Sequence, residues 1–210
     1  VTIVRLYGGG KPGERMVNAT QLCRVNGVRT ADIAAADLGL RGQMGQVLSF
    51  LRRRIPGFEN AFILDSADVP GFRETRRIEG DYTLTEDDIS AGRTFPAVMV
   101  HRANFCFDTH NPAGGGQAES LEEARSTRPY DIPYRCFLPR GVENLLAAGR
   151  CISGTHKAHS SYRVMNICMA MGEAAGVAAA LSATQGTSPR RLDVRKVQQV
   201  LMDGGVPLFD

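Results

Sequence analysis

The chain has 210 residues, 43% of them hydrophobic and 22% charged, and a net charge of +3. That composition suits an ordinary globular protein and is too weakly basic to argue for a nucleic-acid surface or an anionic membrane. The five cysteines, Cys23, Cys106, Cys136, Cys151 and Cys168, are odd in number and show no CxxC spacing, which argues against a zinc site or a disulfide scaffold and for a reducing cytoplasm.

Residues 1–7 alternate and are rich in β-branched side chains, so they predict a strand. The adjoining "GGGKPG" formally matches G-x-G-x-x-G, but a dinucleotide site needs a helix to start there and offer its amides to a pyrophosphate. The next segment, "ERMVNATQLCRV", reads as a second strand, so the glycines predict a hairpin turn. Residues 30–54 predict a long helix, capped by Thr30 or Asp32, with Leu40, Met44, Val47, Leu48, Leu51 and Ile55 on one face. Pro56 and Gly57 end it. Residues 59–69, "ENAFILDSADV", predict a buried strand. "TLTEDDISAG" predicts a short helix with Thr85 and Asp88 as a capping box and Gly92 as its stop.

Residues 95–107 read as one or two strands. "HNPAGGGQAES" is a glycine-rich loop and the best internal boundary. Residues 130–138 are extended, and 145–148 predict a short, fully apolar strand of a layered α/β structure. Residues 164–183 predict a helix of small residues. It is long enough to span a membrane, but Asn166, Glu173 and the Gly172-x-x-x-Gly176 spacing argue for tight packing inside a soluble fold. Asp193 caps a last amphipathic helix to Asp203. Asp108-x-His110 offers two metal ligands with no third, and no metal site is expected.

The stretch richest in chemistry is "LLAAGRCISGTHKAHSSYRVMN". A buried strand ends at Gly149, where a ligand can approach the backbone without a Cβ in the way, and Arg150 comes next at the strand's carboxyl end. A loop carrying His156, His159, Ser160 and Ser161 then leads to the helix, whose start offers amides and the positive end of the dipole. Solvated positions are expected for His159 and for the arginines of 52–54.

"IPYRCFLPRGVENLLAAGRCISGTH", "RVM" and "CMAMGEAAGVAAAL" together resemble the C-terminal part of FAD-dependent oxidoreductases with the two-part, glutathione-reductase-like FAD fold. Upstream, "LRRRIPGFENAFILDSADVPGFRETRRIEGDYTLTEDDI" is similar to the interposed substrate domain of one bacterial branch of that family. The resemblance is closest over residues 132–181 and thins at both ends. It implies a mixed α/β fold, with residues 1–128 as part of a substrate domain and residues 129–210 as the C-terminal strand-loop-helix of a FAD-binding domain.

Carried over by position, the resemblance implies that Gly149 and Arg150 line the pyrophosphate and ribityl path. Arg163, Val164 and Met165 would lie at the helix start, facing the pyrimidine edge of the flavin, and Ser161 would also bind the cofactor. His156 falls near a flavin-side histidine of some relatives, and Arg73 or Arg76 would anchor substrate through arginine's forked donors. The family's opening strand, phosphate loop and ribose-binding acid have no counterpart here, so the chain is expected to be the second half of such an enzyme and inactive by itself. Its expected partners are FAD, an unidentified small substrate, and either the N-terminal half or a second copy, with neither nucleic acid nor membrane. A stand-alone, non-catalytic interaction module is the alternative.

Overall fold

The computed structural model describes residues 4–111 and 118–209. Residues 112–117 of the loop expected at 110–120, its three glycines included, fall outside the described residues. The fold is mixed α/β, and the chain forms two compact units: Val1–Thr75 with His110–Ala118, and Arg76–Thr109 with Glu119–Asp210.

In the first unit, β1 (Arg5–Gly8) pairs antiparallel with β2 (Arg15–Asn18), with Leu6 opposite Val17 and Tyr7 opposite Met16. The Gly9 amide donates to the Glu14 carbonyl at 3.0 Å across the turn. A Cβ on Gly9 would lie 2.4 Å from the Glu14 Cβ, so only glycine fits. The glycine cluster thus serves hairpin geometry and starts no helix. Next comes α1 (Thr30–Arg54). Its expected apolar face is the one turned inward: Val47 and Leu51 are buried with Ala19, and Ile55 and Phe58 pack onto them. The Gln43 side chain locks the preceding segment to α1. It accepts the Gln21 amide and donates to the Gln21 carbonyl, both at 2.9 Å.

Two expectations fail in this unit. Arg29 occupies the N-cap of α1 and no side chain caps it, because the helix already begins at Thr30. Asp32 sits instead in the first turn, where its charge favours the dipole. Residues 59–69 form no strand, and Phe62, Ile63 and Leu64 are exposed. An apolar run becomes a buried strand only where a sheet edge receives its amides, and no described strand lies beside it.

The second unit holds the main core. α2 (Glu86–Ala91) carries the complete Thr85–Asp88 capping box and ends on Gly92 in the left-handed conformation. β3 (Val98–Ala103) pairs antiparallel with β4 (Tyr130–Pro133), with register shifts between Val98, Val100 and Ala103. This pairing crosses the functional division expected near residue 128. α3 (Leu121–Ala124) is a single turn. α4 (His156–Tyr162), α5 (Met165–Gln185) and α6 (Val194–Asp203) complete the unit. Ile167, Met171, Ala174 and Ala178 turn one stripe of α5 into the core. α5 is long and apolar enough to cross a membrane by length and composition, and a third of that window is buried. α6 is capped by Asp193 as expected, and its buried Gln198 donates to the carbonyls of Pro96 and Val98. Those bonds satisfy strand-edge acceptors that would otherwise be orphaned under an apolar helix.

Residues 145–148 do not form the expected strand. They run extended with one ladder-like bond, from the Ala147 amide to the Phe137 carbonyl at 2.9 Å, and Leu145 is exposed. The four residues are apolar enough for a central strand, but no described strand flanks them.

Candidate functional site

The C-terminal motif folds as three consecutive pieces. A 3-10 turn at Gly149–Cys151 comes first, with Gly149 at φ +74. That left-handed conformation costs most residues about 1–2 kcal/mol, and glycine avoids the cost. The turn packs on α5: a Cβ on Gly149 would meet the Cys168 Sγ at 3.8 Å. An extended run then passes Ile152 and Ser153, and the Ile78 amide donates to the Cys151 carbonyl at 2.9 Å. This bond draws the segment carrying Arg76 alongside the turn carrying Arg150.

The expected loop between turn and helix is itself helical. Thr155 caps α4 by accepting the Ala158 amide, and its own hydroxyl donates to Glu86 Oε2 at 2.6 Å. That bond, helped by the Glu86 backbone amide, holds the Glu86 carboxyl below its usual range. His156 is exposed at the first position of α4. His159, expected to be solvated, is buried and meets the Tyr162 ring edge-on at 5.4 Å. Ala158 to Tyr162 are all buried, so this part of α4 is enclosed on every side and no position in it stays in water.

Ser161 is also fully buried. It donates to the Phe105 carbonyl at 2.6 Å and accepts from the Tyr130 hydroxyl at 3.0 Å. Burial pushes the Tyr130 phenol far up, so it stays a donor. The Ser161 hydroxyl is therefore spent within the fold.

Arg163 closes α4, and Val164 opens α5 at once. No side chain caps α5, so its first amides keep their hydrogen-bonding capacity at the positive end of a 21-residue helix. Met165 stands out into solvent. The Arg163 guanidinium forms an ion pair with Asp108 and is itself only 17% exposed. Arg150 is exposed on the 3-10 turn. Burial pushes the Cys168 thiol up, and the charges of Arg150 and Arg163 oppose that shift from nearby. The fold thus gathers Gly149, Arg150, Arg163 and the start of α5 around one thiol. Arg73 belongs to the other unit, and Arg76 is the first residue of this one.

From the sequence, Asp108 and His110 offer at most two metal ligands with no third and read as part of a polar loop. The two members of that pair lie in different units, and among the described residues no group of three or more His, Cys, Asp or Glu side chains is placed to hold a metal. Asp108 is instead Arg163's partner, across 55 residues of sequence. No local signal marks such a pair, because the contact exists only after the segment following β3 has packed onto α4.

An uncapped helix start thus follows Arg163 directly, with the left-handed Gly149 turn packed against its first turn. The family model described as FAD dependent oxidoreductase matches residues 3–201, and the chain belongs to that family. FAD is accordingly its cofactor. No curated protein and no solved structure matches the chain significantly.

The residues present fit one end of FAD. The open amides of α5 and the Gly149 turn suit the flavin and its ribityl chain. Among the described residues, no glycine-rich turn leads into a helix start that would receive the pyrophosphate. "GGGKPG" is taken up by the hairpin.

Proposed function

We propose that this chain is the C-terminal, flavin-facing part of an FAD-dependent oxidoreductase that removes hydride from a small-molecule substrate. The observation that carries this reading is the uncapped start of α5 directly after Arg163, with the Gly149 turn against its first turns. FAD supplies the two-electron acceptor. The chain's own residues bind and orient. The amides of Met165 and its neighbours are pre-oriented donors for negative charge that develops at the flavin's pyrimidine edge. Gly149 and Arg150 line the ribityl and pyrophosphate path. His156, exposed at the start of α4, is the flavin-side histidine of this reading, and Arg76 its substrate anchor.

The remainder of the FAD site, including its phosphate loop, comes from outside this chain. Residues 129–210 belong functionally with that FAD domain, and residues 1–128 with the substrate domain. The outward face of α5 supports such pairing. Met165 and Met169 are 83% and 74% exposed, and nothing lies within 4 Å of a Cβ built on Gly172 or Gly176. An apolar face of this kind, with glycines that admit a close backbone, takes up a partner. A reducing cytoplasm, in keeping with five free cysteines, completes the proposal.

Titration with FAD, followed by flavin fluorescence, tests this reading. This chain alone is expected to bind FAD weakly, and the longer protein that contains it to bind tightly. Submicromolar binding by the chain alone would overturn the need for a second half. In the longer protein, Val164→Asp places a carboxylate over the α5 amides and is expected to weaken FAD retention. Unchanged retention would remove the helix start from the site.

A further inference from the structure

Asp108 lies outside every motif that pointed to the cofactor, yet the fold fixes it from several sides. Its backbone amide donates to Ser160 Oγ at 3.1 Å, and Ser160 in turn donates to the Lys157 carbonyl at 2.7 Å. The Phe107 amide before it donates to the Ala124 carbonyl at 2.9 Å, and the Lys157 ammonium lies 5.1 Å from the centre of the Phe107 ring. The loop after β3 is therefore clamped onto α4. Its carboxylate meets the Arg163 guanidinium at the far end of that helix.

Both side chains are largely withdrawn from water, at 17% exposure for Arg163 and 23% for Asp108. A charge so placed is weakly screened and acts over several ångströms. Arg163 closes α4 immediately before α5, so its charge adds to the dipole at the helix start. An unopposed guanidinium there would favour electron-rich states of whatever the helix start binds.

We propose that Asp108 is a positioning residue that holds Arg163 beside the start of α5, offsets its charge, and thereby sets the midpoint potential of the bound FAD. The inference rests on the reading of the α5 start as the flavin site. Asp108 does not touch the cofactor; it acts by placing Arg163 and through the field of its own carboxylate, which opposes that of the guanidinium.

The test is the midpoint potential of the FAD-loaded holoprotein, with substitutions in this chain. Asp108→Asn leaves the Arg163 charge unopposed by that carboxylate and is expected to raise the potential. Arg163→Gln leaves the Asp108 charge in place without the guanidinium and is expected to lower it. Each shift corresponds to about a tenfold change in the oxidised-to-reduced equilibrium, about 30 mV for a two-electron couple. Asp108→Glu and the double variant Asp108→Asn/Arg163→Gln are both expected near the wild-type value. A merely structural role would move both single variants in the same direction, or neither, and either result overturns the inference. If Asp108→Asn does not fold, the double variant decides: a value close to that of Arg163→Gln alone overturns the inference. Val164→Asp separates the two levels. If it lowers the potential while the Asp108 and Arg163 variants are silent, the flavin site stands and the role of Asp108 falls. If all are silent, both fall.

Discussion

Asp131 Oδ1 lies 2.9 Å from His101 Nδ1, and the same carboxylate accepts the backbone amides of Phe95 and Arg102 at 3.1 and 3.2 Å. These bonds tie β4 to the segment before β3 and to the far end of β3, where the ladder is irregular and Arg102 takes a left-handed φ of +51. A regular antiparallel pair would satisfy these amides with carbonyls. Here a buried side chain replaces the missing ladder bonds.

Asp131→Ala is therefore expected to destabilise the second unit by about 2 kcal/mol. It takes the acceptor from two partly buried amides, and an unsatisfied group of this kind costs about 1–3 kcal/mol when fully buried. Asp131→Asn keeps an acceptor and should cost roughly half as much. Urea unfolding measures both, and a loss below about 0.5 kcal/mol for the alanine variant would show that water or backbone movement replaces the carboxylate.

Acid should weaken α2 through Asp88. Burial pushes this carboxyl up. The Thr85 amide, the Arg93 guanidinium and the Tyr82 and Thr85 hydroxyls together outweigh burial and hold it below the usual carboxylate range. A depressed folded value means stability that is fully present above the unfolded carboxyl value, about 3.9, and is lost as pH falls through the lower folded one. Asp88→Asn should thus be less stable than wild type near neutrality, with the gap closing below about pH 4. Unfolding free energies measured across that range check the sign; a gap that widens on acidification contradicts it.

Ser161→Ala tests whether that hydroxyl serves structure or cofactor. Its two partners are the Tyr130 hydroxyl and the Phe105 carbonyl, both inside the second unit. The substitution removes the acceptor of a buried phenol and is expected to cost about 1–2 kcal/mol. FAD affinity of the holoprotein should not change. A drop in affinity with full stability would place the serine at the cofactor.

Gly42 and Gly45 lie in α1 with nothing within 4 Å of where a Cβ would stand, whereas a Cβ on Gly39 would come within 3.0 Å of Leu22 Cδ1. Replacing either of the first two by alanine is expected to stabilise the first unit by about 0.5–1 kcal/mol, since glycine in a helix interior is costly. Gly39→Ala should gain less, because Leu22 must give way. Thermal unfolding of the three variants orders them; an equal gain at all three would mean that the Leu22 contact is soft.

The features legible directly in the sequence were those that near neighbours determine. The capping box at Thr85 and Asp88, the hairpin around Gly9, the inward face of α1 and the Asp193 cap all depend on spacings of a few residues, and each formed as expected. The resemblance carried by residues 132–181 reached the FAD family through the same kind of local pattern, which the family match confirms. Tertiary structure decided everything that needed a distant partner. Residues 59–69 and 145–148 are apolar enough for strands, but a strand exists only where another offers its hydrogen-bonding edge, and none of the described ones does. His159 and Ser161 read as loop residues, and only the packing that encloses α4 on every side from Ala158 to Tyr162 buries them. The ion pair between Asp108 and Arg163 could not be read at all, because two charges far apart in the chain carry no mutual signal until packing removes them from water and leaves each as the other's counter-charge.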